Sequence, residues 1–127
     1  MSGILTLQLD ELTERFGPVD VDRLPSGTTL VSIHGVHLPE GWSKASTTLR
    51  FLIPAAYPQA QVDSFWADPD LRLTNGAMPQ NSVLNAIPES AEEGLWFSWH
   101  LASPWNVNRD TLNTWANAML DRMRRPQ

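Results

Sequence analysis

Residues 49–69 constrain the fold of this 127-residue chain more than any other stretch. Leu49, Phe51 and Ile53 place an apolar side chain at every second position, which is the periodicity of a half-buried β-strand. Pro54 donates no backbone hydrogen bond and therefore ends that strand. A second strand signal follows within the same stretch, so the sequence predicts two neighbouring strands joined by a short, proline-bounded loop.

The loop between these two strands is defined by Tyr57-Pro58. A residue that precedes proline is pushed away from the helical region, so the dipeptide is predicted to be extended or in a turn. The second strand is predicted over Val62 to Trp66. Tyr57 is expected to fix the loop to the core, with its ring packed and its hydroxyl bonded.

A third strand is predicted on the N-terminal side of this stretch. Thr28 to Leu38 is rich in β-branched residues and poor in helix formers, which favours a strand. Pro39-Glu40-Gly41 then turns the chain toward the strand at Leu49. Because these connections are too short for a crossover helix, the three strands are predicted to form an antiparallel meander.

Helices are predicted near both ends of the chain. In the first, apolar residues recur at i, i+4, i+7 and i+11, and Gly17-Pro18 stops the helix. In the second, they recur at i, i+3, i+7 and i+11, with Asp110 as the expected N-cap and arginines complementing the last turn. The residues are Leu5, Leu9, Leu12 and Phe16 in the first helix, and Leu112, Trp115, Met119 and Met123 with Arg122, Arg124 and Arg125 in the second.

The segment from Asp68 to Glu93 is the least regular part of the sequence. It contains the turn dipeptide Asn75-Gly76, two prolines and a polar run. A connection of this length is unusual inside a compact domain and indicates function or mobility. Leu95 to Leu101 predicts a strand or short extended segment. Together, helix, meander, irregular loop and helix predict an α+β fold in a single domain over residues 1–127.

The composition excludes several classes of function. The chain has no cysteine, which removes disulfides, Cys-ligated zinc and thioester chemistry and favours a cytoplasmic location. The net charge of −5 argues against a nucleic-acid partner, which normally demands a basic patch. No apolar run is long enough to span a membrane, and no cofactor is predicted.

His34 and His37 are the first candidates for a metal site. Residues three apart on a strand point to opposite faces, so the two imidazoles are not expected to share one ion. The sequence therefore predicts no metal site here, and one buried and one exposed histidine instead.

Ser98 and His100 are the candidate catalytic residues. They are two positions apart, so on a strand they share a face, and a hydroxyl beside an imidazole is the start of a nucleophile–base pair. No glycine-rich elbow surrounds Ser98 and no acidic partner is evident. A structural histidine bonded to a backbone carbonyl is the competing interpretation for His100.

Tryptophan is abundant, with six residues in the chain. Four of them fall in patterned segments and are predicted to be core: Trp66, Trp96, Trp105 and Trp115. Trp42 follows a turn and is predicted to be an exposed partner-binding residue. Tyr57 is a second candidate for partner binding.

Several segments, taken in order, resemble the ubiquitin-conjugating-enzyme (UBC) superfamily, and most closely its prokaryotic family E. The resemblance covers roughly residues 28 to 123. The segments that carry it are Leu38-Pro39-Glu40-Gly41-Trp42, Ile53-Pro54-Ala55-Ala56-Tyr57-Pro58, Asp63-Ser64-Phe65-Trp66, Trp96-Phe97-Ser98-Trp99-His100, Trp105 and Asp110-Thr111-Leu112.

The resemblance implies a UBC-like fold and a role in a bacterial ubiquitin-like modification system. Working members of the superfamily carry their cargo on a cysteine after the meander, where this chain offers only hydroxyls and amides. The first hypothesis is therefore a catalytically silent domain that binds a ubiquitin-like protein or an activating enzyme. The alternatives are a hydroxyl-based carrier or esterase that uses Ser82 or Ser98 with His100, and an interaction domain of unrelated role.

Overall fold

The computed structural model describes residues 3–127, and over that range two helices enclose one face of a six-stranded antiparallel sheet. The sheet order is β1-β2-β3-β4-β6-β5. The elements are α1 (Gly3–Phe16), β1 (Asp20–Arg23), β2 (Thr29–His37), β3 (Ser46–Ile53), β4 (Phe65–Ala67), β5 (Ser82–Ala86), β6 (Glu93–Phe97) and α2 (Leu112–Met123). The predicted α+β class, with a meander flanked by helices, is confirmed.

The main core lies between the sheet and the two helices, as the sequence periodicities require. The inward side chains of the central strands pack against α1 and α2. Phe65 stacks on Phe97 with ring centroids 5.0 Å apart, and Trp115 meets Phe65 edge-on at 6.4 Å. Adjacent strands bring these rings together, because Phe65 and Phe97 are register partners in β4 and β6. A smaller apolar cluster around Leu30 and Trp66 lies on the opposite face.

The predicted strands are present, but their bounds differ. β2 and β3 lie within or around the predicted segments, whereas β4 is only three residues long and Val62 lies before it. β1 was not predicted, because Asp20–Arg23 is exposed and polar and carries no alternation of apolar residues. It pairs with the start of β2 all the same.

The segment from Asp68 to Glu93 is more regular than predicted. It contains β5, which pairs residue by residue with β6 through a chain reversal at residues 87–92. Ile87 is buried there, and the backbone N–H of Ile87 donates to the Glu92 carbonyl at 3.0 Å. The prediction of an irregular loop was wrong because β5 is exposed and so shows no buried period-2 pattern.

Asp110 is not the N-cap of α2. Thr111 takes that position: its hydroxyl accepts from the Asn113 N–H, and its own N–H donates to Thr114 Oγ1. Asp110 instead accepts from the Asn106 N–H at 2.8 Å and closes the preceding turn. The helix itself is confirmed, and only the capping residue is displaced by one position.

A buried glutamine joins three parts of the fold. Gln8 of α1 accepts two hydrogen bonds through Oε1, one from the Tyr57 hydroxyl and one from the Leu112 N–H at 2.9 Å. The first fixes the loop after β3, and the second satisfies an otherwise unpaired N–H in the first turn of α2. Tyr57 is only 7% exposed, so the prediction that it pins its loop is confirmed.

Tyr57 gives a direct optical test of this arrangement, because it is the only tyrosine in the chain. Burial, with a smaller contribution from the Asp110 charge, raises the pKa of Tyr57 from 10.0 to about 12. Tyrosinate absorbance of the folded protein is expected to rise near pH 12, and that of the unfolded protein near pH 10.

The same shift sets the sign of a stability effect. The raised pKa of Tyr57 stabilises the fold fully below pH 10, and this contribution is lost as the pH rises toward about 12. Tyr57→Phe removes both the absorbance change and this alkaline loss. If tyrosinate absorbance of the folded protein rose near the ordinary tyrosine pKa of 10.0, the buried placement of Tyr57 would be wrong.

Candidate functional site

The predicted catalytic pair lies just beyond β6, where the backbone remains extended. The Ser98 N–H donates to the Asn81 carbonyl and the Trp99 carbonyl accepts from the Ser64 N–H, both at 2.9 Å. These bonds continue the ladder on both sides of the segment. Ser98 and His100 are exposed, whereas Trp99 between them is partly buried.

His100 lines a surface pocket of about 320 Å³, here called the His100 pocket. Its walls come from the segment after β6 and from the last turns of α2. The lining residues are Trp99, His100, Ala102, Ala118, Asp121 and Arg125. Ser98 is not among them, so the pocket does not present the predicted nucleophile together with its base.

The charged side chains of the His100 pocket already have partners. The Arg125 guanidinium lies 5.4 Å from the Trp99 ring centroid and donates to the main-chain oxygen of Asp121. The Asp121 carboxylate pairs with Arg124 at 2.7 Å. Within residues 3–127, neither the His100 ring nor the Ser98 hydroxyl has a hydrogen-bond partner, so no carboxylate orients the imidazole as an acyl-transfer triad requires.

The third hydroxyl candidate, Ser82, is committed to the backbone. Its hydroxyl donates to the Pro79 carbonyl at the approach to β5. Its proton is therefore directed at a carbonyl oxygen, whereas a serine nucleophile needs a base as the acceptor.

The buried side chain of Arg122 joins the end of α2 to the residues that precede β5. It is 1% exposed and donates to three main-chain oxygens, those of Arg125, Gln80 and Gln127, at 2.7, 2.9 and 2.9 Å. Burial lowers its pKa from the ordinary arginine value. The interpretation of the C-terminal arginines as simple helix-end charges therefore does not describe Arg122.

Aromatic rings surround the buried guanidinium of Arg122. The ring centroids of Phe97, Trp42 and Trp99 lie 5.0, 5.7 and 5.7 Å from its central carbon. Contacts of this kind are favourable when the cation is desolvated. Trp115, Met119 and Arg122 recur at i, i+4 and i+7, so the helical periodicity alone indicates that Arg122 shares the buried face.

Trp42 is not an exposed contact residue, and that prediction was wrong. Its side chain is 6% exposed, and its indole Nε1–H donates to the Met123 carbonyl at 2.8 Å. The indole thereby satisfies a carbonyl at the end of α2, which has no intrahelical partner. The turn before Trp42 directs the ring inward. Tyr57, the other predicted partner-binding residue, is also buried.

The two histidines of β2 also differ from the prediction, since both are exposed. A β-bulge shifts the register between Ile33 and Val36 and includes Gly35 at φ 68°. The extra residue changes the alternation of faces, and His34 and His37 line the same cleft. Over residues 3–127 no group of three or more His, Cys, Asp or Glu is placed to hold a metal ion.

The family follows from the comparison with known proteins. A family model described as prokaryotic E2 family E matches residues 16–125. This chain belongs to prokaryotic E2 family E. No curated protein and no solved structure matches it.

Membership of an E2-like family supports a role in a ubiquitin-like modification system. The chain is a family E protein with no cysteine at any position. Among residues 3–127 no helix is long and apolar enough to cross a membrane. Residues 1–127 therefore offer no thiol that could carry a thioester.

Replacement of Arg122 tests its structural role. Arg122→Met keeps an apolar stem but removes the buried guanidinium that donates to three main-chain oxygens, and we expect a loss of about 2–4 kcal/mol in the free energy of unfolding. Arg124→Met, which removes only an exposed ion pair, is expected to cost about 0.5 kcal/mol or less. Equal destabilisation of the two variants in chemical denaturation would contradict the role given to Arg122.

Proposed function

We propose that this family E protein is a catalytically silent, protein-binding component of a bacterial ubiquitin-like modification system. Its partners in this proposal are a ubiquitin-like protein, an activating enzyme, or both, in the cytoplasm. The observation that carries the proposal is the absence of cysteine from an E2-like chain. Without a thiol there is no group to accept the cargo as a thioester.

The remaining hydroxyls support binding over transfer. A serine hydroxyl has a far higher pKa than a thiol and needs an adjacent base to attack. Ser82 is bonded to a backbone carbonyl, and Ser98 lies outside the His100 pocket. His100 lacks an orienting carboxylate within the described part of the chain, so it is poorly prepared to act as that base.

The outer edge of the sheet at β5 offers a surface for a protein partner. Asn81 and Ile87 flank β5 and bond to Ser98 and Glu92, which flank β6. By alternation, the backbone groups of Leu84 therefore face away from β6. Val83 and Leu84 are 49% and 39% exposed, and β5 carries no charged residue.

The opposite edge of the sheet has a different character. β1 reads Asp-Val-Asp-Arg, and charged side chains on an edge strand discourage pairing with another chain. The uncharged, apolar β5 edge lacks this protection. We therefore place part of the partner contact at β5.

The first test mixes the protein with its cognate ubiquitin-like protein, activating enzyme and ATP, followed by intact-mass spectrometry and a parallel binding measurement. We expect saturable binding and no mass increase. Absence of binding to both partners would overturn the adaptor role. The unmixed protein, carried through the same incubation, is the control for unrelated modification.

A covalent adduct in that experiment would favour the second candidate, a hydroxyl-based carrier or esterase. The observation in its favour is the shared exposure of Ser98 and His100 at the end of β6. In that case Ser98→Ala would abolish the adduct and His100→Ala would slow its formation. An adduct that survives both substitutions would place the chemistry elsewhere.

Substitutions on the two sheet edges test where the partner binds. Val83→Lys and Leu84→Lys introduce a charge on the apolar edge and are expected to weaken partner binding about tenfold or more, without a large change in stability. Val21→Lys makes the same charge change on β1, where Val21 is similarly exposed, and is expected to leave binding unchanged. Equal effects from both edges would remove β5 from the interface.

A further inference from the structure

A second surface cleft, of about 370 Å³, has none of the lining residues of the His100 pocket and none from β5. Its walls are the end of α1, the last turns of α2 and the bulge in β2. Four basic side chains line this basic cleft and no carboxylate does: Arg15, His34, His37 and Arg124. This concentration is notable in a chain with 14 acidic and nine Lys or Arg residues.

Arg15 is fixed in place without being neutralised. Its Nη1 donates to Asn113 Oδ1 at 3.2 Å and its Nη2 to Asn117 Oδ1 at 2.7 Å. Both acceptors are uncharged amides on α2, and the guanidinium lies 4.9 Å from the Phe16 ring centroid. No carboxylate pairs with Arg15 within residues 3–127. A positioned cation without a counter-ion is prepared for an anionic ligand.

Two of the other basic side chains of the cleft already have partners, and one does not. His34 is held between Asp20 at 2.6 Å and Thr48 at 3.1 Å, and Arg124 pairs with Asp121 at 2.7 Å. Both carboxylates lie outside the cleft lining. His37 has no hydrogen-bond partner in the described part of the chain, so Arg15 and His37 are the groups free to meet an incoming anion.

The floor of the basic cleft is apolar. Phe16, Val36, Leu120 and Met123 contribute to it. A small inorganic anion would use the basic rim and leave this floor uncovered. A peptide that places an apolar side chain between carboxylates would use both, burying the apolar group while its charges meet the rim.

We infer that the basic cleft binds a short acidic segment of a partner protein, with an apolar side chain on the floor and carboxylates at Arg15 and His37. The inference rests on the proposed function for its choice of a protein as the occupant. It deepens that proposal by giving the chemistry of the segment. The bulge at Gly35 is what makes the site possible, because it brings His37 to the same cleft as His34.

The test is a selection of peptides from a random displayed library on the intact protein, with the double variant Arg15→Gln, His37→Gln as the counter-selection. We expect enriched peptides to combine Asp or Glu with a large apolar residue. A synthetic copy of an enriched peptide should perturb the Gly35 and Val36 amides in NMR spectra. Its affinity should fall as the ionic strength rises.

Single variants measured with that synthetic peptide assign the contact. Arg15→Gln is expected to weaken binding about tenfold or more. His37→Gln should also weaken it, and this variant removes no intramolecular hydrogen bond, so it is expected to stay folded. Arg23→Gln removes one exposed positive charge from β1, outside the basic cleft, and is expected to change the affinity by about twofold at most.

Three outcomes would overturn the inference: no enrichment over the counter-selection, enriched peptides without acidic residues, or a peptide affinity that is the same for the Arg15→Gln and His37→Gln variants as for the unsubstituted protein. Competition by inorganic phosphate at the peptide's own affinity would assign the cleft to a small anion instead and overturn the peptide assignment. If the peptide experiments fail but the ubiquitin-like protein still binds, the inference is wrong and the proposed function is retained. If an acidic peptide binds the basic cleft but neither the ubiquitin-like protein nor the activating enzyme binds, the proposed function is wrong and the peptide site is retained.

Discussion

The buried guanidinium of Arg122 is the interaction on which the functional surface depends. A desolvated charge is tolerated only when its donors are satisfied. Here three main-chain oxygens, one before β5 and two in the residues after α2, and three aromatic rings surround it. One side chain thereby joins the end of α2, the approach to β5 and the end of β6. The position of Trp99, and with it the wall of the His100 pocket, follows from this single buried cation.

A second polar contact fixes the other end of the same helix. Gln8 accepts one hydrogen bond from the Leu112 N–H at the start of α2 and another from the Tyr57 hydroxyl in the loop after β3. With both ends held, α2 becomes a fixed wall shared by two surface features. Asp121 faces the His100 pocket and Arg124 faces the basic cleft, so their ion pair lies on the ridge between them.

Sequence periodicity predicted the elements that are fixed by the burial of apolar side chains. It missed an exposed edge strand, a side-chain direction set by a hydrogen bond, and a bulge. Both helices, the meander and the pinning role of Tyr57 follow from apolar spacing and proline chemistry. β5 was missed because an exposed edge strand needs no apolar alternation. Trp42 was misplaced because its inward direction depends on a carbonyl 81 residues away. The two β2 histidines were expected on opposite faces, but a single bulge residue brings both to one cleft. Bulges leave only a weak signal in the sequence.

The absence of cysteine is the reason that the proposed function is binding and not transfer. The core is closed by aromatic and aliphatic packing and its polar contacts are made by Gln8, Tyr57 and Arg122, so nothing in the stability of the fold requires a thiol. The chain therefore has a closed core without a thiol. The surface has two features that a partner protein could contact. One is the uncharged sheet edge at β5, and the other is Arg15, which is held in position without a carboxylate partner in residues 3–127. Groups of this kind lower the free energy of a complex more than that of the isolated protein, which is the property expected of an adaptor.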